Sequence, residues 1–270
     1  MKEIHVISLG AGVQSSTMAL MAAKGEITPM PVAAIFADTQ AESPLTYQWL
    51  NRLIVKLPFP VFRVTAGPLR SQFAELKARR SDGSTYVKLS IPAFVEDSNG
   101  RGAPMVRGCT ADFKLTPIRS RLKALRVVHG ASFVMQWIGI SRDEAHRMKD
   151  SPDKLVENRW PLIERRMTRT HCLEWLTRNG YDLPPRSACV FCPFHDDNEW
   201  RRLRDDEPES FAQAVEDERS IHAMYDSATR PGSGKPYLHR QLKPLDQIDF
   251  TEDTSQLNLF GNECEGMCGV

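Results

Sequence analysis

The chain has 270 residues, of which 41% are hydrophobic and 26% charged, with a formal net charge of +1. That composition excludes a disordered chain and predicts one large domain, or one domain with a subdomain. Neutral bulk charge selects no class of partner, but local charge is uneven: residues 101–170 hold 15 Lys/Arg against 7 Asp/Glu, and residues 196–218 hold 3 Arg against 10 Asp/Glu. No apolar run reaches the roughly 18 residues needed to cross a bilayer, and Met1-Lys2 leads into a strand-like run, not a signal peptide. The expected setting is cytoplasmic, without membrane contact. Six cysteines are too few for a disulfide scaffold and read as metal ligands or reactive thiols in a reducing compartment.

Ile4 to Leu9 is a short apolar strand opening onto Gly10-Ala11-Gly12. Ser15 to Lys24 has a helical pattern stopped by Gly25, and Val32 to Ala37 is a second buried strand. Leu45, Trp49, Leu50, Leu53 and Ile54 mark a helix over 44–57. A third strand follows at Val61 to Val64, with a helix over 69–79. Residues 80–107, rich in Gly, Ser, Asp and Pro, read as a long functional loop or lid that has room for a hairpin. Thr110 to Arg126 is helical, Phe133 to Ile140 is a fourth strand, 170–179 a helix closed by Gly180, and 198–227 an acidic helical segment.

Strand–helix alternation of this kind predicts an α/β fold, a doubly wound and mostly parallel sheet, followed by a smaller C-terminal helical subdomain containing cysteines. The expected division is 1–150 for nucleotide binding, 151–243 for a helical region with C-x-x-C, and 244–270 for a flexible tail with C-x-x-x-C.

A strand ending in Gly10-Ala11-Gly12-Val13-Gln14-Ser15-Ser16 before a helix suits an anion. Small residues admit it to the backbone, and the helix N-terminus offers free N–H groups and a positive dipole end. A tight turn with a serine cap is the alternative use of the same residues. The Walker pattern is excluded, because Thr229 and Pro236 stand at required positions around Gly234-Lys235. The dinucleotide fingerprint is excluded because Ser15 occupies its third glycine.

Four segments together carry a family resemblance. Gly10 to Ser16 is similar to the Ser-Gly-Gly-x-Asp-Ser loop of the PP-loop ATP pyrophosphatases, with Ala11 in place of a Gly and Gln14 in place of the Asp. Phe36-Ala37-Asp38-Thr39-Gln40 resembles the Asp-Thr-Gly segment of the phosphoadenylyl-sulfate reductase branch of that superfamily. Gly139-Ile140-Ser141-Arg142-Asp143-Glu144 resembles its Gly-Ile-Arg-x-Asp-Glu, and Cys109 to Lys114 its Cys-x-x-x-x-Lys. The resemblance covers about residues 4–195 and implies a Rossmann-like PP-loop fold. It implies that ATP (or an adenylyl sulfate) binds with Mg²⁺ at Ser8, Gly10, Ala11, Gly12, Gln14, Ser15, Ser16, Asp38, Thr39 and Gly139. Cleavage falls between the α and β phosphates. Lys114 and Arg142 offset charge that develops on phosphate, with Asp143 orienting Arg142.

Cys189-Val-Phe-Cys192 can grip one metal centre. Joined by Cys109 it is similar to the three-cysteine [4Fe-4S] site of PP-loop tRNA thiolation enzymes, and a PP-loop protein of DNA phosphorothioation is comparable; zinc and free thiols are the alternatives. Cys264 and Cys268, in a glycine-containing tail, suit a swinging persulfide or redox pair, or a fourth metal ligand. Cys172, on a helix, reads as a core residue.

Three functions are carried forward. One is an ATP-dependent sulfurtransferase that thiolates a nucleic acid or nucleobase, supplied by a cysteine desulfurase. The second is an adenylyl sulfate or phosphoadenylyl sulfate reductase that releases sulfite and uses a thioredoxin-like donor. The third is a nucleotide-binding regulatory module with a structural zinc.

Overall fold

The computed structural model describes residues 2–79, 81–105, 108–229 and 234–250. In chain order these form β1 (Glu3–Ser8), α1 (Val13–Ala23), β2 (Ala33–Ala37), α2 (Pro44–Ile54), β3 (Val61–Val64), β4 (Ala74–Ala78), β5 (Thr85–Leu89), β6 (Phe94–Glu96), β7 (Gly102–Pro104), α3 (Thr116–Val128), β8 (Phe133–Ile138), β9 (Val156–Arg159), α4 (Pro161–Glu164), α5 (Arg169–Arg178), α6 (Asp197–Asp206) and α7 (Pro208–Ser227). Two compact units interleave along the chain. One takes residues 2–67 and Thr110–Ala188; the other takes Pro68–Cys109 and 189–250. Among the described residues no helix is long and apolar enough to cross a membrane.

The first unit is an α/β layer structure around a five-stranded sheet in the order β3-β2-β1-β8-β9. Every pairing in it is parallel, with Ile7 opposite Ala34 on one side and Trp137 on the other. Strand alternation divides the core. Ile7, Leu9, Ala34, Phe36 and Trp137 face α1, the Trp49–Leu53 side of α2, and α5. Ile4, Val6, Ala33, Ile35 and Val134 pack on Ile118, Leu122 and Leu125 of α3. Each of those α3 side chains is fully buried, which contributes about 2 kcal/mol apiece. The nearly continuous apolar strands are those of a sheet covered on both faces. Helix α1 is buried from Val13 to Ala22, so it has no polar outer face.

The fifth strand, β9, lies beyond residue 150, where the sequence pattern had placed the end of the nucleotide-binding region. It has only four residues, and its buried position is Asn158, whose Nδ2 donates to the Lys149 carbonyl at 2.8 Å. A polar residue at the buried position hides the strand from hydrophobic periodicity.

The second unit holds two antiparallel hairpins, β4-β5 and β6-β7, with α6 and α7. The helix expected over 69–79 is instead one 3-10 turn, Leu69–Gln72, followed by β4. Ala, Glu, Leu and Lys favour a helix locally, but pairing with the β-branched and aromatic β5 prevails. The expected loop of 80–107 contains β5 and the β6-β7 hairpin. The acidic segment is two helices, because Pro208 opens α7 and cannot continue α6. Glu218 of α7 anchors the segment that follows it: its buried carboxylate accepts the backbone N–H groups of Leu238, at 2.8 Å, and Leu245.

Candidate functional site

Strand β1 sits at the point where the winding of the sheet reverses. The chain leaves β1 through α1 to β2 on one side, and returns from β3 to β8 on the other. In open α/β sheets such a switch point leaves a crevice beyond the carboxyl ends of the strands. Gly10 to Ser16, the β2 end at Asp38, and the β8 end at Gly139 all lie at these carboxyl ends.

The β1–α1 turn is held by its own atoms. Ser15 Oγ accepts the Gly10 N–H at 3.2 Å and donates to the Gly12 carbonyl at 3.4 Å. Ala11 adopts φ 59°, the left-handed region, where a glycine is the residue with least strain. The N-cap is Gly12, which supplies no side-chain acceptor, and the first turn of α1 holds no acidic residue. Its leading N–H groups are thus left for an outside acceptor, the arrangement that suits an anion.

The two serines differ in their use. Ser15 closes the turn, whereas Ser16 Oγ, fully buried, accepts Trp49 Nε1–H at 3.0 Å and fastens α1 to α2. Ser8 Oγ accepts Gln136 Nε2 at 2.6 Å, tying β1 to β8. Gln14 is buried and donates to Glu144 Oε2 at 3.0 Å and to Ser141 Oγ at 3.5 Å. Glu144 in turn pairs with Arg147. A glutamine can donate to Glu144, whereas an aspartate here would face a second carboxylate. Gln14 and Glu144 therefore form a matched pair.

Gly139 passes directly over this turn. A Cβ at that position would lie 2.8 Å from Ser15 Cα and 2.9 Å from Ser15 N. Only glycine lets β8 deliver Ser141 and Arg142 so close to the loop.

Asp38 is half-buried at the end of β2. Its Oδ1 accepts both Tyr47 Oη–H and the Gln40 N–H at 2.8 Å. Burial, and then the Asp38 hydrogen bond, push the Tyr47 phenol far above its usual range, so it remains a donor. Gln40 sits at φ 56°, in the left-handed region that a glycine fits best. Thr39 is buried. Lys114 lies in a π-helical segment, Thr110–Leu115, with its ammonium 3.6 Å from Glu42 Oε1. Ser187 Oγ donates to Glu42 Oε2 at 3.2 Å.

Arg142 and Asp143 are exposed. The Asp143 carboxylate accepts the Arg169 N–H at 3.2 and 3.3 Å, at the N-terminus of α5, where a negative charge is favoured. Glu42, Tyr47, Trp49 and Glu144 were not among the residues chosen from the sequence. Glu144 closes the Gly139–Glu144 motif, which could have nominated it; Glu42, Tyr47 and Trp49 carry no such spacing signal, and their roles follow from tertiary contacts.

Cys109, Cys189 and Cys192 belong to the second unit. Cys189 and Cys192 are buried on one turn, closed by the Cys192 N–H on the Cys189 carbonyl at 2.9 Å. His195 Nε2 donates to that carbonyl at 3.0 Å, and its ring lies 4.7 Å from Trp200, edge to face. Cys109 is half-buried. Among the described residues no group of three or more His, Cys, Asp or Glu could hold a metal ion. Cys264 and Cys268 lie outside the described residues. Cys172 is core, and burial pushes its thiol up to about 12.

No protein-family model matches the chain. It is 27% identical over 197 residues to the uncharacterized nin region protein ORF290 of Escherichia phage lambda, across 70% of this chain and 65% of that protein. The match thus spans just under two thirds of the relative. Among solved structures it is similar to phosphoadenylyl-sulfate reductase from Candida auris, at 14% identity and a TM-score of 0.40, over 68% of this chain and 75% of that one. It is also similar to the U34-tRNA thiolase NcsA from Methanococcus maripaludis with its [4Fe-4S] cluster, at 13% identity and a TM-score of 0.38, over 81% and 72% of the two chains.

Proposed function

We propose that this chain is a PP-loop-type enzyme of sulfur chemistry. It binds ATP with its phosphates on the first turn of α1 and uses it to activate a nucleic acid or nucleobase for thiolation. The observation that carries the reading is the first turn of α1, without a side-chain cap and brought against Gly139 at the switch point of the sheet. Gly12 at the N-cap brings no side chain to the leading N–H groups, which leaves room there for an anion.

In the proposed reaction an acceptor oxygen attacks the α-phosphorus, the α–β bridging bond breaks, and pyrophosphate leaves. Backbone N–H groups of α1 hold phosphate oxygens. Lys114 and Arg142 offset charge in the transition state, and Asp38 lies toward the adenosine or a Mg²⁺ ion. The terminal sulfur of a cysteine persulfide, supplied by a cysteine desulfurase, then attacks the activated carbon and AMP leaves. A second thiol breaks the S–S bond, giving the thiolated product and a protein disulfide, which an external dithiol reduces. The sequence nominates Cys264 and Cys268 for these two thiols. No step is assigned to a cluster.

The test is ATP binding by calorimetry, together with pyrophosphate and AMP release in the presence of RNA, DNA, a desulfurase and a dithiol. Pyrophosphate release that depends on acceptor supports the reading. Sulfite release from adenylyl sulfate, without pyrophosphate from ATP, replaces it with the reductase. ATP binding without turnover replaces it with the regulatory module.

A further inference from the structure

Helix α3 carries Arg119, Arg121, Lys123 and Arg126 and no acidic residue. Its inner face is spent on Ile118, Leu122 and Leu125, which leaves Arg119 and Lys123 exposed one turn apart on the outer face. Arg121 lies on the flank with its guanidinium 4.6 Å over the Phe62 ring, and Arg126 is half-buried on the same helix. Among the described residues none of these four forms an ion pair. Arg147, Arg159, Arg202 and Arg240, by comparison, each sit on a carboxylate. Like charges at i and i+4, as at Arg119 and Lys123, disfavour a helix. The local carboxylate is Asp112, in the turn before α3.

We infer that the outer face of α3 is a docking surface for the phosphodiester backbone of a nucleic acid. Charge complementarity selects the occupant, because a row of unpaired cations on a rigid helix neutralises successive phosphates and releases their counterions. A lipid surface fits less well. The exposed large apolar residues of α3 are Val127 and Val128, confined to its last turn, whereas the cations run along its length. Helix α3 also continues directly from the segment holding Lys114, so a strand laid along it is led to the candidate site. The inference deepens the acceptor half of the proposed activity and rests on that reading for its purpose.

The test is fluorescence anisotropy of labelled single-stranded DNA, duplex DNA and RNA oligonucleotides, without nucleotide, across a salt series. Arg119→Gln/Lys123→Gln should weaken binding about tenfold and lower the salt slope by about 2. Arg204→Ala, a charge removed from an exposed ion pair with Asp205, should leave both unchanged. Wild-type binding to no oligonucleotide, or an unchanged slope in the double variant, overturns the inference. So does binding to anionic vesicles alone. Melting curves check the fold, and Arg119→Lys/Lys123→Arg should restore binding. Calorimetry with ATP is read separately: a double variant that binds ATP normally but not the oligonucleotide separates this surface from the nucleotide site.

Discussion

Ser15 Cα would stand 2.8 Å from a Cβ on Gly139. Real Cβ atoms do not approach backbone so closely, and both partners here are backbone at the centre of the first unit. Gly139→Ala must therefore move β8 or the β1–α1 turn. The expected cost is about 1–3 kcal/mol of stability, with at least tenfold weaker ATP binding. Thermal denaturation and calorimetry check both; a variant equal to wild type in each would remove Gly139 from the account of the site.

The strain at Ala11 gives a prediction of opposite sign. Left-handed backbone costs an alanine about 1 kcal/mol, while a glycine loses about as much through its freer unfolded chain. Ala11→Gly should therefore melt no lower than wild type. Ala11→Val should melt well below it, because the site is fully buried and φ is 59°. Denaturant midpoints read the difference, and a Gly variant less stable than the Val variant would contradict this geometry.

Much of the first unit is legible in the amino-acid sequence. Apolar runs located β1, β2, β3 and β8, and the turns after β1, β2 and β8 collected the site residues. What escaped has physical causes. β9 has a polar residue at its buried position; β4 is written in helix-forming residues and becomes a strand only through β5. The contact of Asp143 with the Arg169 N–H was not legible, because the two are 26 residues apart and meet at the start of another helix. The bond from Trp49 Nε1–H to Ser16 Oγ was hidden for the same reason, since it joins residues 33 apart on two helices.

Buried His239 predicts a pH dependence in the second unit. Its Nδ1 accepts the Gln241 N–H at 3.2 Å and its Nε2 faces Asp197 at 3.2 Å, so the ring is the neutral Nε2–H tautomer. Burial lowers its pKa, against the opposing pull of Asp197. A depressed folded value means that the folded state binds fewer protons. The contribution is present above the unfolded value, about 6.5, and is lost as pH falls below it. His222, similarly lowered by burial, acts in the same direction. Buried Asp217 and Glu218, both raised by burial, act in the opposite direction, so the expected result is the difference: between pH 7 and 5 His239→Gln should lose less melting temperature, or gain more, than wild type. An identical slope in that variant would assign the effect to other groups.

Glu42 offers the sharpest separation of positioning from folding. Its buried carboxylate holds Lys114 on one oxygen and Ser187 on the other. Lys114→Met removes the cation proposed to meet phosphate, and loss of such a transition-state contact costs about 10²-fold in kcat. Glu42→Gln keeps an oxygen for Ser187 and leaves Lys114 charged but less well fixed, so it should lower kcat about tenfold with little change in KM for ATP. Breaking a buried ion pair also costs stability, up to about 3 kcal/mol; rates are therefore taken well below each variant's melting point. If Glu42→Gln and Lys114→Met lose stability alike while pyrophosphate release stays at the wild-type rate, the pair is a structural tie and Lys114 has no part in the chemistry.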